Sequence, residues 1–422
     1  MSPFSARRPL ALLCTTLLAL TTAVATAPTA AAATTPERVL LSPTADPATS
    51  QTLTWRSDTS ANPTLQIAPA SAPGQVTTVA GTNTASVGGT FHRATATGLA
   101  PDTAYRYRVG DGTDFSPWRT FTTAASDADP FTFLYFGDVQ NGISSGAAPV
   151  VRAALAAEPD AELAVHAGDL VDSSNSEAQW TEWFEAFGPE ATGTMNHVTT
   201  PGNHEYSLFS LSRYWTPQFP GAGNGPTSGN HLPQTVYHTD YQGVRFIVLN
   251  SNYRAAAPLS SSSWLATQQR WLEQALAGNP HPWTVVTFHH PVFSNSPSRD
   301  NAALRRAWLD TLESHDVDLV LQGHDHSYAR GNLTANRTSD PAVQTGPVYT
   351  VAVTGTKMYG ASTANWTENG AEARVQLANT QTFQTVRVDG ARLHYTARTA
   401  DGTVVDSFTI DKTDGKRVTD TL

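Results

Sequence analysis

Apolar residues recur in short runs in the second part of the chain, and each run ends at a polar cluster. The runs read FTFLYF, AELAVHA, HVTTP, WTVVTF and VDLVLQ. Short apolar runs bounded by turn residues are typical of strands buried on both faces, so the pattern predicts parallel strands. Apolar spacings of three and four predict helices between them, at residues 149–158, 177–187, 264–277 and 302–314. The region from Phe131 onward is therefore predicted to be an α/β domain.

Residues 34–125 show a different pattern, with short alternating segments and no helical spacing. The segments LTW, TLQIA, ATATGL, TAYRYRVG and WRTFTT predict strands. About seven strands in this length predict an immunoglobulin-like or fibronectin-like sandwich, with Trp55 as its core aromatic residue. The stretch GLAPDTAYRY resembles the tyrosine corner of fibronectin type III modules. Such a domain would either bind carbohydrate or brace its neighbour, and the lack of a chemically active cluster favours bracing.

The boundary between the two regions is predicted at residues 126–130, a polar segment that ends in proline. The second domain is then predicted to span residues 131–418. Its last part returns to strands, in the segments VYTVAVTG, TFQTVRV, RLHYTAR and VVDSFTI. The dipeptides Asp389-Gly390 and Asp401-Gly402 are typical of hairpin connections between such strands.

The polar clusters after the five apolar runs contain side chains of the types that bind metal ions in proteins. Their members are Asp138, Asp169, Asn203, His204, His289, His290, His324 and His326. In open α/β sheets, ligands bind beyond the carboxyl ends of the strands, so we expect these side chains to converge. Carboxylate, amide and imidazole groups are metal ligands, and about seven of them suit two ions better than one.

The charge and the cysteine content of the chain limit the kinds of molecule that it is expected to bind. The 422 residues have room for two or three domains, and the formal net charge is −10, with few lysines. A surface that binds nucleic acid would need a basic stripe, so none is expected. A small anionic substrate is compatible with this charge, because metal ions would meet it locally. Cys14 is the only cysteine and lies near the start, so a metal would be held by oxygen and imidazole nitrogen.

Residues 1–33 have the pattern of a signal peptide. Arg7 and Arg8 precede an apolar run, and small residues follow as far as Ala33. Cleavage near residue 33 and a secreted, extracellular protein are therefore expected. The apolar run is too short and too rich in alanine and threonine for a stable membrane span. Abundant alanine, threonine and arginine beside few lysines indicate a GC-rich bacterial source.

The order of the motifs resembles that of the metallophosphoesterase (calcineurin-like) superfamily, and most closely its purple acid phosphatase branch. The motifs are G-D, G-D-x-x, G-N-H-E, a histidine two residues before proline, and G-H-x-H. That branch also carries a fibronectin-like domain in front of the catalytic one. The resemblance covers essentially the whole mature chain, and it implies a four-layer α/β/β/α sandwich for the catalytic domain.

The resemblance also implies six metal ligands and one catalytic residue. The ligands are Asp138 and His326 on the first ion, Asp169 as the bridge, and Asn203, His289 and His324 on the second ion. His204 would contact the substrate phosphate and help the leaving group to depart, while Glu205 would orient His204 or cap the next turn. The implied cofactors are two divalent or mixed-valence ions, with iron, manganese, zinc and calcium as the candidates.

Two positions depart from the family pattern near the first ion. Asp172 stands where the purple enzymes have a tyrosine ligand, so the protein is not expected to be purple. Asp172 either binds a metal or holds a neighbouring loop. Gln140 stands where other branches have a histidine ligand, and its amide either coordinates weakly or hydrogen-bonds a metal-bound water.

Three further residues are candidates for the substrate side. Arg299 stands near the place where the family has phosphate-binding histidines, so it is either a bidentate phosphate clamp or a solvated surface residue. His290 is expected to pack or to support the site rather than to bind a metal, because adjacent residues on a strand point to opposite faces. Tyr206 is a candidate for the pocket wall, as are Lys357 and Tyr359.

The sequence therefore predicts a secreted enzyme that hydrolyses phosphate monoesters by attack of a metal-bridging hydroxide. A phosphodiesterase acting on nucleotides or phospholipid head groups is the alternative within the same class. A non-catalytic protein that binds cell wall or glycan is the alternative from another class. The presence of nearly all the ligands argues against it. The sequence gives no oligomeric state.

Overall fold

The computed structural model describes residues 35–58, 60, 62–86 and 88–422. The predicted signal peptide at residues 1–33 and Cys14 lie outside these residues. Within the described part, no helix combines the length and the apolar character that a membrane span requires.

The described residues of the front region form eight strands, and each predicted segment overlaps one of them. The strands are β1 (Glu37–Ser42), β2 (Ser50–Ser57), β3 (Thr64–Pro69), β4 (Thr77–Ala80), β5 (Thr82–Ser86), β6 (Gly89–Thr97), β7 (Ala104–Gly110) and β8 (Arg119–Thr122). Trp55 is buried in the core between the two sheets of this sandwich, as predicted. The hydroxyl of Tyr105 accepts a hydrogen bond from the Ala100 amide at 2.9 Å, which is the contact of a tyrosine corner.

The first half of the following region alternates strands and helices. Its elements are β9 (Phe131–Phe136), α1 (Ala148–Ala157), β10 (Leu163–His166), α2 (Glu177–Thr194), β11 (Asn196–Thr199), β12 (Tyr206–Ser207), β13 (Ser210–Leu211), α3 (Trp215–Gln218), α4 (Leu232–Thr235), β14 (Tyr237–Tyr241) and β15 (Val244–Val248). Helix α2 is kinked where Gly188 adopts a φ of 77° in front of Pro189, because proline cannot continue the helical hydrogen bonding.

The second half repeats the alternation and then ends in antiparallel strands. Its elements are α5 (Tyr253–Ala256), α6 (Ser261–Ala277), β16 (Trp283–Thr287), α7 (Ala302–Ser314), β17 (Leu319–Gln322), β18 (Tyr328–Leu333), β19 (Val343–Gln344), β20 (Val348–Val351), α8 (Ala364–Glu368), β21 (Ala371–Leu377), β22 (Phe383–Asp389), β23 (Arg392–Arg398), β24 (Val404–Asp411) and β25 (Arg417–Asp420). The two predicted hairpins connect β22 to β23 and β23 to β24.

Two large sheets pack face to face. One has the strand order β19-β25-β24-β23-β22-β9-β10-β11-β1-β2-β6-β5, and the other has the order β14-β15-β16-β17-β20-β18-β21. The strands β9, β10 and β11 are parallel, as are β15, β16, β17 and β20. On β9, Phe133 and Tyr135 point toward the second sheet, whereas Leu134 and Phe136 pack under α1 and α2. Helices α6 and α7 cover the other sheet, which confirms the four-layer α/β/β/α arrangement.

One sheet of the front sandwich continues into the twelve-stranded sheet, which the sequence did not predict. Strand β1 pairs in parallel with β11, with Leu41 opposite Asn196. The contact extends beyond the strands, since the Tyr107 hydroxyl donates to the Gly193 carbonyl at 2.6 Å. The buried amide of Gln51 also donates to Asn196 Oδ1 at 2.9 Å. The front region is therefore hydrogen-bonded edge to edge with the α/β region, while the domain limits at 125 and 131 stay a prediction.

Candidate metal centre

The polar clusters converge where the two large sheets meet. Asp138 and Asp169 follow β9 and β10 of the first sheet, and His289 and His324 follow β16 and β17 of the second. Parallel strands place their carboxyl ends at one edge, and the face-to-face packing brings the two edges together. The predicted convergence is therefore what the structure shows.

Asp138, Asp169 and His326 form a buried cluster, here named the carboxylate group. The Nε2 atom of His326 lies 3.0 Å from Asp138 Oδ2. Its Nδ1 atom donates a hydrogen bond to the Lys357 carbonyl at 2.8 Å. That bond fixes the ring, so Nε2 carries the lone pair that a metal ion would need.

His289, His290 and His324 form a second cluster beside the first, here named the imidazole group. Around His289 Nε2 lie Asn203 Oδ1 at 3.1 Å, His324 Nδ1 at 3.2 Å and Asp169 Oδ2 at 3.2 Å. The Nδ1 atom of His289 donates to the Ala167 carbonyl at 2.8 Å, which leaves Nε2 toward the centre. Asp169 thus belongs to the carboxylate group and also lies 3.2 Å from His289 of the imidazole group, which is the place of a bridge.

The donor spacings and the local charge fit two cations. Ligand atoms that share an ion at about 2.1 Å in an octahedral shell lie about 3 Å apart, which matches the spacings in both groups. The atoms Asp138 Oδ2 and Gln140 Oε1 are buried without a hydrogen bond, although buried polar atoms are normally satisfied. Burial alone would lower the pKa of His289, but the charges of Asp169 and Asp138 raise it to about 9. The centre is therefore built for positive charge.

Three of the predicted ligands have left-handed backbone conformations. Asp169, His324 and His326 have φ angles of 52°, 74° and 47°. Such conformations cost on the order of 1–3 kcal/mol each in residues other than glycine, and they cluster at functional sites. The glycines of two motifs have a related role, since a Cβ at Gly202 or Gly323 would collide with the Asp169 or Asp138 carboxylate. Glycine is thus required in these two motifs because the backbone lies against the aspartate carboxylates.

Glu205 holds the loop that carries the bridging aspartate. Its buried carboxylate accepts hydrogen bonds from the amides of Asp169 at 2.9 Å, Leu170 at 2.8 Å and Gly202 at 2.7 Å. Burial and the charge of Asp169 raise the pKa of Glu205 to about 8, and the backbone donors oppose this shift. Of the two roles expected for Glu205, the structure supports capping of the turn rather than orientation of His204.

His204 lies at the edge of the carboxylate group. Its amide donates to Asp169 Oδ1 at 2.8 Å, and its Nδ1 donates to the Asp172 carbonyl at 2.7 Å. The Nε2 atom is left for a substrate. The side chain borders a cavity of about 590 Å³ that Asn203 and Ser207 also line. The geometry suits a group that exchanges a proton with a bound phosphoester, so the catalytic role of His204 stays a prediction with structural support.

The two departures from the family pattern have different surroundings. The Asp172 carboxylate accepts from Asn141 Nδ2 at 2.7 Å and lies 3.5 Å from His204 Nδ1, outside both ligand groups. This favours the loop-holding role for Asp172. Gln140 Nε2 lies 2.9 Å from Asp169 Oδ2 and 3.1 Å from His326 Nε2, so its amide borders the same space as the carboxylate group.

The strand argument used for His290 does not apply, because β16 ends at Thr287 and the alternation of strand faces does not reach His290. The ring lies 4.1 Å from that of His324, and its Nδ1 lies 2.9 Å from Ser251 Oγ. Burial lowers the pKa of His290 well below its usual value, and the residue lines the cavity beside His324. Its supporting role stays a prediction.

Arg299 and Tyr206 are both tied to neighbouring residues. The Arg299 NH1 atom donates to the His324 carbonyl at 2.5 Å and to Asp325 at 3.3 Å, and the guanidinium lies over the Tyr359 ring. Arg299 is thus anchored beside the centre, unlike a freely solvated arginine. The Tyr206 hydroxyl accepts from the buried Asn250 amide at 2.8 Å, so Tyr206 offers only its ring to the cavity near His204.

Sequence reasoning missed the loop between β15 and α5. Ser251 of this loop and Arg254 at the start of α5 border a cavity of about 510 Å³ beside His290 and His324. The signal was present, because the apolar run VRFIVL ends at the polar residues NSNYR. This is a sixth strand end of the same kind, but it carries no carboxylate or histidine and so drew no attention.

Comparison with known proteins agrees with this architecture. Residues 131–328 match the calcineurin-like phosphoesterase family, and residues 36–123 match the purple acid phosphatase N-terminal domain. Purple acid phosphatase 23 of Arabidopsis thaliana is 24% identical over 295 residues, which is 62% of this chain and 61% of that protein. The Fe(3+)-Zn(2+) purple acid phosphatase 12 of the same plant is 25% identical over 269 residues, 59% of this chain and 54% of that protein.

A solved structure shows the same fold. The purple acid phosphatase from yellow lupin (Lupinus luteus) seeds aligns with a TM-score of 0.71 at 19% identity, over 90% of this chain and 74% of that chain. The chain spans less than two thirds of the length of the two Arabidopsis relatives. The two domain matches together cover more than half of the chain, in the order that the sequence predicted. Residues 131–328 therefore form a calcineurin-like phosphoesterase domain, and residues 36–123 form the N-terminal domain of the purple acid phosphatases.

Proposed function

We propose that this protein hydrolyses phosphate monoesters with two metal ions. One observation carries the proposal: Asp169 of the carboxylate group lies 3.2 Å from His289 of the imidazole group, and His204 Nε2, at their edge, has no hydrogen-bond partner among the described residues. Two adjacent cation sites with a proton donor beside them are what phosphoester hydrolysis requires. The calcineurin-like phosphoesterase domain at residues 131–328 supports the same class of reaction.

The chemistry divides between the ions and the side chains. When bound, two ions would supply hydroxide near neutral pH and polarise the phosphoryl oxygens. Asp169 would hold the two cations together, and Glu205 would keep the Asp169 loop in place through its backbone hydrogen bonds. His204, fixed by the Asp172 carbonyl, would give a proton from Nε2 to the departing oxygen. His290, which lines the cavity on the other side of Asn203, would contact the phosphoryl oxygens.

The test combines metal analysis with two substrates. Purified protein should contain close to two metal ions per chain, hydrolyse an aryl monophosphate, and lose this activity when a chelator removes the metal. A visible spectrum without the purple absorption band would agree with Asp172 in place of tyrosine. Fewer than one ion per chain together with no hydrolysis of either a monoester or a diester would overturn the proposal. That result would favour a binding protein for cell wall or glycan.

Hydrolysis of phosphate diesters is the second candidate function, and the positions of the two cavities support it. Asn203 borders both the cavity beside His204 and the cavity beside His290. A phosphorus atom bound next to Asn203 would therefore have room for an organic group on each side. A higher kcat/KM for a bis-aryl phosphate than for the aryl monophosphate would identify this activity.

Export from the cell is also part of the proposal. The charged and apolar pattern of residues 1–33 supports a cleaved signal peptide. Expression of the full chain in a bacterium should yield protein outside the cytoplasm whose first residue lies near position 34. Recovery of only uncleaved protein would contradict this.

A further inference from the structure

The cavity beside the imidazole group contains two arginines that the metal centre does not use. It has a volume of about 510 Å³ and is lined by Arg254, Arg299, Ser251, Asn301, His290 and His324. One end of the cavity therefore touches the predicted ligand His324, whereas Arg254, Arg299 and Asn301 lie outside both ligand groups. A molecule bound at the centre would reach this space within a few bonds.

Both guanidinium groups keep free hydrogen-bond donors. Arg254 is exposed, and its Nε donates to the Tyr253 hydroxyl at 3.0 Å. Within the described residues, neither terminal nitrogen of Arg254 has an acceptor. Among the described residues, the Arg299 guanidinium donates only from Nη1, to the His324 carbonyl and Asp325. Guanidinium groups with open forks are suited to bind phosphate in a bidentate way.

Two carboxylates offset part of this positive charge, but each of them pairs with an arginine. Asp325 pairs with Arg299 at 3.3 Å. Asp300, which lines the cavity, pairs with Arg305, so the charge of Arg254 is not cancelled. Asp300 accepts hydrogen bonds from Arg305 at 2.8 Å and from Asn365 at 3.1 Å. Asp325 is buried and accepts from Ser294 Oγ at 2.8 Å and from the Asn295 amide at 2.5 Å. The cavity is thus a cationic space in a protein whose formal net charge is −10.

We propose that Arg254 and Arg299 bind a second phosphoryl group of the substrate in this cavity. The preferred substrates are then small molecules in which a second phosphoryl group lies within a few bonds of the scissile one. This inference rests on the proposed hydrolysis at the metal centre and names the class of substrate. The serine and asparagine side chains of the wall would complete the shell of donors around the phosphoryl oxygens.

The test compares one phosphoryl group with two. Calorimetry on the metal-loaded protein would give dissociation constants for inorganic phosphate and for methylenediphosphonate, and inhibition of aryl phosphate hydrolysis would give the matching Ki values. We expect Arg254→Gln to reduce the preference for the diphosphonate over phosphate about tenfold, since one charge-assisted contact is lost. Arg254→Lys should keep part of the preference, because it retains the charge but not the fork.

Arg270→Gln is the matched control. Arg270 is an exposed arginine on α6 outside the cavity lining, so this change should leave the preference as it is. The inference would be overturned if Arg254→Gln and the unchanged protein had the same preference for the diphosphonate over phosphate and both still hydrolysed aryl phosphate. If the unchanged protein does not hydrolyse aryl phosphate, that result counts against the proposed function instead. Calorimetry would still measure the binding of phosphate and of the diphosphonate.

Discussion

The two halves of the metal centre differ in the chemistry of their donors. The carboxylate group offers two aspartates and one histidine, whereas the imidazole group offers three histidines beside the Asn203 amide. Oxygen ligands suit hard cations such as manganese, and imidazole suits zinc, iron and copper. This difference predicts that the two places would prefer different ions, with the carboxylate group supplying most of the negative charge. Asp169, which lies next to both groups, should couple the binding of one ion to that of the other.

The halves also differ in origin. Asp138 and Asp169 come from the twelve-stranded sheet, and the three histidines of the imidazole group come from the seven-stranded sheet. His326 connects them, since it belongs to the chain of the second sheet but joins the carboxylates of the first. A change in one half should therefore affect its own ion first, unless it removes the shared residue.

The largest effect is expected from Asp169→Ala, which removes the residue common to both halves. Metal content should fall from about two ions to fewer than one, and kcat on an aryl monophosphate should fall at least about 1,000-fold. Elemental analysis and steady-state kinetics would measure both. Asp160→Ala changes an exposed aspartate outside both ligand groups and serves as the control. Retention of both ions by Asp169→Ala would show that the halves are not joined by this carboxylate.

A smaller effect is expected from His204→Ala, because His204 touches the centre without belonging to either half. Both ions should remain, while kcat should fall about 100- to 10,000-fold with the loss of the proton donor. The fall should be smaller for a substrate whose leaving group needs no proton. Full turnover of an aryl phosphate by this variant would exclude the assigned role.

Gln140→Leu should separate the two halves. Its amide borders the carboxylate group alone, so only the ion held there should weaken, by about 10- to 100-fold in affinity. Titration with a chelator and separate analysis of each element would follow the two ions. Equal weakening of both would show that Gln140 acts on the shared Asp169 rather than on one site.

The smallest effect is expected from His290→Ala. This residue faces the cavity and contacts Ser251, so its loss should raise KM for an aryl phosphate about tenfold and leave two ions bound. Metal analysis decides between the readings of His290. If one ion is lost, His290 is a ligand of the imidazole half.

The sequence was most informative where function depends on local pattern. Strand ends followed by aspartate, asparagine or histidine predicted the α/β fold and the convergence of these side chains, because parallel strands bring their carboxyl ends together whatever their order. The six ligand roles were implied by the family resemblance and stay a prediction. The strand argument for His290 failed because the end of β16 cannot be located to one residue from the apolar pattern. Arg254 was missed because an arginine in a short helix has no signature until the cavity around it is known. The pairing of Leu41 with Asn196 joins residues far apart in the chain, and no local signal encodes it.

The pairing of β1 with β11 has a consequence for the cooperativity of unfolding. A chain that started at Phe131 would leave β11 as an open edge strand, with unpaired backbone groups free to join other molecules. Such a fragment is expected to aggregate rather than to retain a working centre. The described residues should therefore melt in a single transition, since the front strands protect the edge of the sheet that carries the first two aspartates.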